Sequence, residues 1–215
     1  MRYPLMRGAA LGTIFAAMLL GAMLLGVAAP AGAQGLTGKY TVIEGKTAPT
    51  AHSLDVVVVE EFLNFSCPHC NDFRAAAKPV FAKYGKRMKL VRVPILFRGQ
   101  SDPALRLFYI AQARGLEDRI DEALFDARFR SGVDNFDPQV IGYLARTNGL
   151  QEAYEKEASA EWVTRRIADG RVRADSFGVE ATPTLVLQGA LRIVPDTSMA
   201  DFVANFDKIA GQLLR

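Results

Sequence analysis

The chain predicts an α/β fold in which strand, helix, strand, a run of helices, a hairpin and a final helix follow one another. Three observations carry this. Residues 54–65, L-D-V-V-V-V-E-E-F-L-N-F, are β-branched and apolar enough for a strand buried on both faces. Residues 101–177 show helix starts and stops at short intervals. Residues 184–188 (T-L-V-L-Q) and 191–195 (L-R-I-V-P) return to strand texture before an amphipathic end.

The N-terminus decides where the protein works. Met1–Arg7 holds Arg2 and Arg7 and no acid, Gly8–Ala29 is an uncharged run of 22 residues, and Ala31-Gly32-Ala33 is a small-x-small site. Residues 1–33 therefore read as a secretory signal peptide. The apolar run is long enough to cross a hydrocarbon layer of about 30 Å, so an uncleaved N-terminal anchor is the alternative. In both cases the two arginines stay inside and the remainder is exported, periplasmic in a Gram-negative bacterium. Removing residues 1–33 leaves 24 basic against 23 acidic residues. That balance gives no reason to expect nucleic acid as a partner. The remaining 182 residues suit one domain, or a core with one insertion, that needs no disulfide for stability.

From Cys67 onward, Phe73, Ala76, Ala77, Val80, Phe81 and Tyr84 recur at helical spacing, with Gly85 as the stop. The cysteines thus open a helix at the end of a strand. Pro68 fits its first turn, whereas Pro79 lies inside it and should kink it. Met88–Phe97 alternates as a second strand, placed at an edge or ended by Pro94. Ser101 or Asp102 caps a helix that has Pro103 in its first turn and ends at Gly115. Residues 116–130 form the next helix, and Asp137-Pro138 starts another that Gly149 ends. Residues 150–177 read as helix with a break near Asp169-Gly170. Gly189-Ala190 joins the two late strands in a hairpin, and Met199–Leu213 carries Phe202, Val203, Phe206, Ile209, Ala210 and Leu213 on one face.

The chemistry lies in N-F-S-C-P-H-C-N-D-F, residues 64–73, which contains both cysteines of the chain. Zinc wants four ligands, and only Cys67, His69, Cys70 and a distant His52 are on offer. Covalent haem attachment needs histidine directly after the second cysteine, where Asn71 stands. A purely structural bridge would close so short a loop that it removes little unfolded-state entropy. A redox dithiol benefits from the spacing, because the second thiol can attack a mixed disulfide held on the first. Cys67, at the helix N-terminus, is the attacking sulfur, stabilised as thiolate by unpaired N–H groups and the helix dipole. Cys70, one turn in, is the resolving thiol. His69 either favours the Cys67 thiolate or is an ordinary surface histidine. Glu60 and Glu61 lie on opposite strand faces, and periodicity does not choose which of them, if either, points inward as a proton acceptor.

Other features read as structural. Arg165, Arg166, Arg171 and Arg173 alternate with acids as a solvated helix face, Trp162 packs among helices, Phe62 and Phe65 read as core in preference to an apolar substrate surface beside the dithiol, and His52 has no evident partner.

The stretch E-F-L-N-F-S-C-P-H-C, the helical block, and F-G-V-E-A-T-P-T-L-V-L-Q-G together resemble the DsbA-like thiol:disulfide oxidoreductases, over about residues 40–215. The resemblance implies a thioredoxin-like mixed sheet flanked by helices, with residues 34–98 and 171–215 forming the core and 99–170 an inserted all-helical subdomain. It implies a cis Thr182–Pro183 bond facing the dithiol, where an X-Pro bond would by default be trans. Thr182 and Pro183 would then bind substrate backbone as an added strand. It also selects Glu61, six residues before Cys67, as the buried acid. Residues 34–54 leave no room for the dimerisation domain of the V-shaped isomerases, which argues against those relatives; a monomer is expected. The implied function is an exported oxidase that introduces disulfides into reduced, newly translocated polypeptides and is reoxidised by a membrane-bound partner. No cofactor is expected beyond the Cys67–Cys70 disulfide. The alternatives are a dedicated reductant, for example in cytochrome maturation, and a redox-silent peptide-binding chaperone.

Overall fold

A computed structural model describes residues 35–195 and 197–215; both readings of residues 1–33 lie outside them. The elements run β1 (Tyr40–Val42), β2 (Val57–Leu63), α1 (Pro68–Ala76), α2 (Lys78–Tyr84), β3 (Met88–Pro94), α3 (Pro103–Gln112), α4 (Glu117–Phe129), α5 (Pro138–Thr147), α6 (Gln151–Glu157), α7 (Glu161–Ser176), β4 (Thr184–Leu187), β5 (Leu191–Ile193) and α8 (Met199–Leu213). The sheet order is β1-β5-β4-β2-β3. Among the described strands only β2 and β3 are parallel, with Glu61 opposite Arg92; β2 pairs antiparallel with β4, which forms the hairpin with β5. This is the expected mixed sheet, and its one parallel crossover runs through α1 and α2.

Strand β2, paired on both edges, explains itself by its neighbours. Val57, Val59 and Phe73 pack with Phe206, Ile209 and Leu213 of α8 on one face, whereas Phe62 meets Ala174 of α7 and Phe177 just beyond its end on the other. A third apolar cluster fills the helical block between β3 and β4, and Phe65, Cys67 and Cys70 belong to it. The redox turn therefore sits where the sheet meets the inserted helices. Phe62 and Phe65 are fully buried, and Trp162 packs against the inserted cluster.

Several local expectations are corrected. Pro79 does more than kink a helix: it divides the segment into α1 and α2 at Ala77, because proline cannot supply the N–H that would continue the ladder. The break near Asp169-Gly170 is absent, and α7 runs unbroken from Glu161 to Ser176. Gly170 is there for proximity: a Cβ on it would stand 3.0 Å from the Tyr109 hydroxyl and 3.3 Å from Val93. The hairpin turn begins one residue early, with Gln188 and Gly189 both at positive φ. Strand β1 has no counterpart in the sequence reading, since three residues are too few for a periodic pattern. His52 has a partner after all, its Nδ1 lying 3.0 Å from the Leu214 carbonyl. On α7, Arg165 and Arg171 form the expected exposed pairs, but Arg173 turns to the sheet and pairs with Glu60.

Candidate active site

Cys67 is the N-cap of α1, with extended backbone (φ −83°, ψ 118°), and Pro68 occupies the first turn. The Cys67 N–H donates to the Asn64 carbonyl at 3.0 Å, and the Cys67 carbonyl accepts from Asn71 N–H at 3.2 Å. Both cysteines are free, so this is the dithiol form. Cys67 retains 7% exposure and Cys70 none. Only the first sulfur-bearing residue reaches the surface.

Across from it, the Thr182–Pro183 peptide bond is cis, and the Thr182 carbonyl accepts from the Cys67 thiol at 3.2 Å. The Thr182 hydroxyl is buried and has no hydrogen-bond partner among the described residues. The two groups act in opposite senses: the carbonyl suits the protonated sulfur, while the hydroxyl favours the thiolate. The Cys67 thiol is lowered from 9.0 to about 5. The largest cause is the hydrogen bond from the Cys70 thiol; burial opposes it, and the Thr182 side chain and the backbone amides of Cys70 and His69 add to it. Cys70 is pushed upward, first by burial and then by its bond to Cys67 and the charge there. One thiol is thus ready to ionise and its neighbour is held as the proton donor.

His69 and Pro68 are exposed. The His69 ring lines a cavity of about 280 Å³ with Thr182, Pro183, Pro195, Met199 and Phe202, and makes no hydrogen bond to either sulfur among the described residues. Its backbone amide is what bears on Cys67.

Both glutamates of β2 are buried, at 4% exposure each, so neither is a solvated charge. Glu60 is neutralised by a bidentate pair with Arg173 on the α7 face. Glu61 lies on the other face, shared with α1. Its nearest cation is Arg92, Nε to Oε2 4.0 Å, and that guanidinium is also engaged by Asp121 at 3.6 Å and Asp118 at 2.6 Å. Arg74 of α1 reaches Asp121 at 3.6 Å. Burial, reinforced by Asp121 and only partly offset by Arg92 and Arg74, raises Glu61 from 4.5 to about 8. These charges line a cavity of about 540 Å³ between α1, β3 and α4. Among the described residues Glu61 makes no hydrogen bond to either sulfur, and no cluster of His, Cys, Asp or Glu is arranged to hold a metal.

The sequence reading missed the polar supports of this site. Asn64 is fully buried, and its side chain ties Ser66 to the end of β3. Asn135, also fully buried, donates to the Phe65 carbonyl at 2.6 Å. Asp121 had a readable signal, an acid on the helical stripe that carries Leu124 and Phe125; Asn64 had only its place at the end of an apolar strand.

A thiolate-prone N-cap cysteine, a buried partner one turn later and a cis-proline loop against the first sulfur form a thiol-disulfide exchange site. The thioredoxin family profile matches residues 53–204. The chain belongs to this thioredoxin family. Within it the chain is a DsbA-like thiol:disulfide oxidoreductase. It is 28% identical over 202 residues to the thiol:disulfide interchange protein DsbA of Pseudomonas syringae pv. tomato, covering 94% of this chain and 93% of that one. Its structure is similar to that of the oxidoreductase DsbA from Xylella fastidiosa, with a TM-score of 0.68 at 24% identity over 80% of this chain and 93% of that one. A DsbA from Proteus mirabilis, solved with a non-covalently bound peptide, superposes with a TM-score of 0.62 at 20% identity over 83% and 96% of the two chains.

Proposed function

We propose that this chain works as an exported oxidase, donating the Cys67–Cys70 disulfide to reduced polypeptides. A client thiolate attacks the Cys67 sulfur, the Cys67–Cys70 bond breaks, and its electron pair leaves on Cys70, which takes up a proton. A second client thiolate then attacks the client sulfur of the mixed disulfide and expels Cys67 as thiolate. The client gains a disulfide and the protein is left as the dithiol, two electrons richer.

The direction is carried by the setting of Cys67, an N-cap sulfur next to the buried Cys70 thiol and the first amides of α1, which depresses its ionisation. As a nucleophile Cys67 gains little from it. Ionisation at about 5 rather than 9.0 raises the thiolate fraction at pH 7 about 100-fold, but a Brønsted coefficient of about 0.4–0.5 takes most of that back in lower intrinsic reactivity. As a leaving group it gains throughout. At pH 7 the stabilised thiolate favours the reduced form by up to about 2.7 kcal/mol, or roughly 60 mV, less what solvent screens at the open side of the sulfur. An easily expelled thiolate and a stabilised reduced form are the properties of an oxidant.

The fold supports the remaining roles. The cavity beside Thr182 and Pro183 suits an extended client segment, in keeping with the peptide held by the Proteus mirabilis relative. Glu61, on the face beneath α1, is the candidate proton acceptor for Cys70, acting across an intervening gap. Export follows from residues 1–33, with the periplasm as the compartment in a Gram-negative bacterium; among the described residues no helix is long and apolar enough to cross a membrane. The reading includes a membrane-bound reoxidising partner, a monomeric protein, no nucleic acid and no cofactor beyond the dithiol.

Equilibration with glutathione tests the direction. The Cys67/Cys70 potential should be more positive than about −200 mV, and a value near −270 mV would make the protein a reductant. The same titration judges whether the ring of His69 adds anything to its backbone amide in tuning Cys67. His69→Ser keeps the backbone amide, so a ring contribution appears as a higher Cys67 pKa and a more negative potential. The two should move together at ~30 mV per 1.4 kcal/mol. An unmoved pair leaves the amide as the whole contribution of that residue.

A further inference from the structure

Asp121 is an acid on the apolar stripe of α4, and only 1% of it is exposed. Its Oδ1 lies 3.6 Å from Arg92 Nε and has no hydrogen-bond partner among the described residues. Its Oδ2 lies 3.6 Å from Arg74 Nη1. Glu61, 4% exposed, brings Oε2 to 4.0 Å from the same Arg92 nitrogen. Two buried carboxyls therefore flank one guanidinium nitrogen, one carried by β2 of the sheet and the other by α4 of the inserted helices.

The nearby cations do not suffice for both. Arg92 gives its Nη1 to Asp118 at 2.6 Å, and Arg74 divides itself between Asp121 and Asp126, 3.9 Å from the latter. Of the other charges lining the cavity, Glu117 and Glu122 of α4 outnumber Lys78 of α2, and β4 sets the apolar Leu185 beside Glu61. A buried carboxylate without a close cation costs more than a carboxyl that keeps its proton, and two carboxyls on one site divide the charge unequally. Distance decides which of them keeps it. Asp121 has two guanidiniums at 3.6 Å, whereas Glu61 has one at 4.0 Å. The direction of both ionisations agrees, since burial raises each and Asp121 adds to the rise at Glu61.

We propose that Asp121 is a positioning residue for the proton of Glu61: by engaging Arg92 it denies Glu61 a close cation, so that the buried pair binds a single proton and Glu61 keeps it. The arrangement stands on Asp121, Arg92 and Arg74 alone, and its bearing on exchange rests on the reading of Glu61 as a proton acceptor. With Asp121 neutral, Arg92 turns to Glu61, which then ionises at lower pH.

The test is a carboxyl titration of the reduced protein by difference infrared spectroscopy or carbon-13 NMR, with the Glu61 signal assigned by its loss in Glu61→Gln. The parent should show that carboxyl still protonated near neutrality. Asp121→Asn, nearly isosteric, should lower the Glu61 midpoint by about one to three pH units, the shift that one neighbouring charge commands. Asp121→Glu restores the charge and should return the midpoint most of the way, and Asp121→Ser stands in if the asparagine variant folds poorly. A Glu61 already ionised near neutrality in the parent, or a midpoint that none of the neutral variants lowers, would overturn the proposal and reduce Asp121 to a tie between α4 and its neighbours. The closing of a Cys67–glutathione adduct by Cys70 separates this from the role of Glu61 itself. If its pH profile stays in place while the Glu61 midpoint falls, Glu61 is not the acceptor for Cys70 and the proposal for Asp121 stands.

Discussion

Cys70→Ser should turn the protein into a trap. Cys67 is the sulfur with access to solvent and is ionised at neutral pH, so it still attacks a client disulfide and forms a mixed disulfide. The thiol that would resolve it is gone. A neighbouring thiol acts at an effective concentration far above millimolar external thiol, so the adduct should persist at least about 100-fold longer. The reverse variant, Cys67→Ser, leaves a cysteine that is fully buried and whose ionisation is driven upward. It should trap nothing and reduce turnover to background. In this variant the rate of adduct formation should follow the Cys67 thiolate and fall as the pH drops, with its half-maximum above 5 because the Cys70 thiol, the largest of the groups that lower that ionisation, is gone. Mass spectrometry of the adducts locates the linkage, and adducts carried mainly on Cys70 in the Cys67→Ser protein would reverse the assigned roles.

What the sequence disclosed, it disclosed through local pattern. The spacing of Cys67 and Cys70 behind an apolar strand placed the dithiol at a helix start, and the apolar stripe of 199–213 located α8 residue for residue. These signals are short-range, and tertiary contacts reinforce them. What stayed hidden depends on contacts between distant segments. Gly170 reads as a helix breaker until Tyr109 and Val93 appear against it. Arg173 reads as one more solvated charge until β2 brings Glu60 to it. The choice between Glu60 and Glu61 could not be made from alternation, because both faces of β2 are covered. Each glutamate is defined by the helix above it: α7 supplies a bidentate arginine to one, whereas the other shares Arg92 with two aspartates. Asn64 and Gln100, whose side chains hydrogen-bond across 36 residues, carry no periodic signal at all.

That asymmetry makes Glu61→Gln the most informative substitution outside the cysteines. In the unfolded chain the carboxyl ionises near 4.5, and in the fold burial holds it to about 8. Below pH 4.5 both states carry the proton and Glu61 costs the fold nothing. Between 4.5 and 8 the unfolded chain releases a proton that the folded protein keeps, so stability falls as pH rises, by at most ~1.4 kcal/mol per pH unit. Above 8 both states are ionised and the penalty is complete. Glutamine cannot titrate, so the variant should match the parent near pH 4.5 and exceed it progressively, by up to about 3 kcal/mol at pH 7. Charge sharing with Asp121, Arg92 and Arg74 makes that figure an upper limit. Denaturant unfolding of the reduced protein at several pH values reads the difference directly. An equal gain at every pH would mean that Gln merely packs better, and a loss at pH 7 would mean that Arg92 holds Glu61 ionised against its burial. If the widening gap is found, the native glutamate is retained at the expense of stability, as expected of a group kept for its proton. The same variant should then slow the closing of a Cys67 adduct by Cys70, the step in which that thiol must give its proton up.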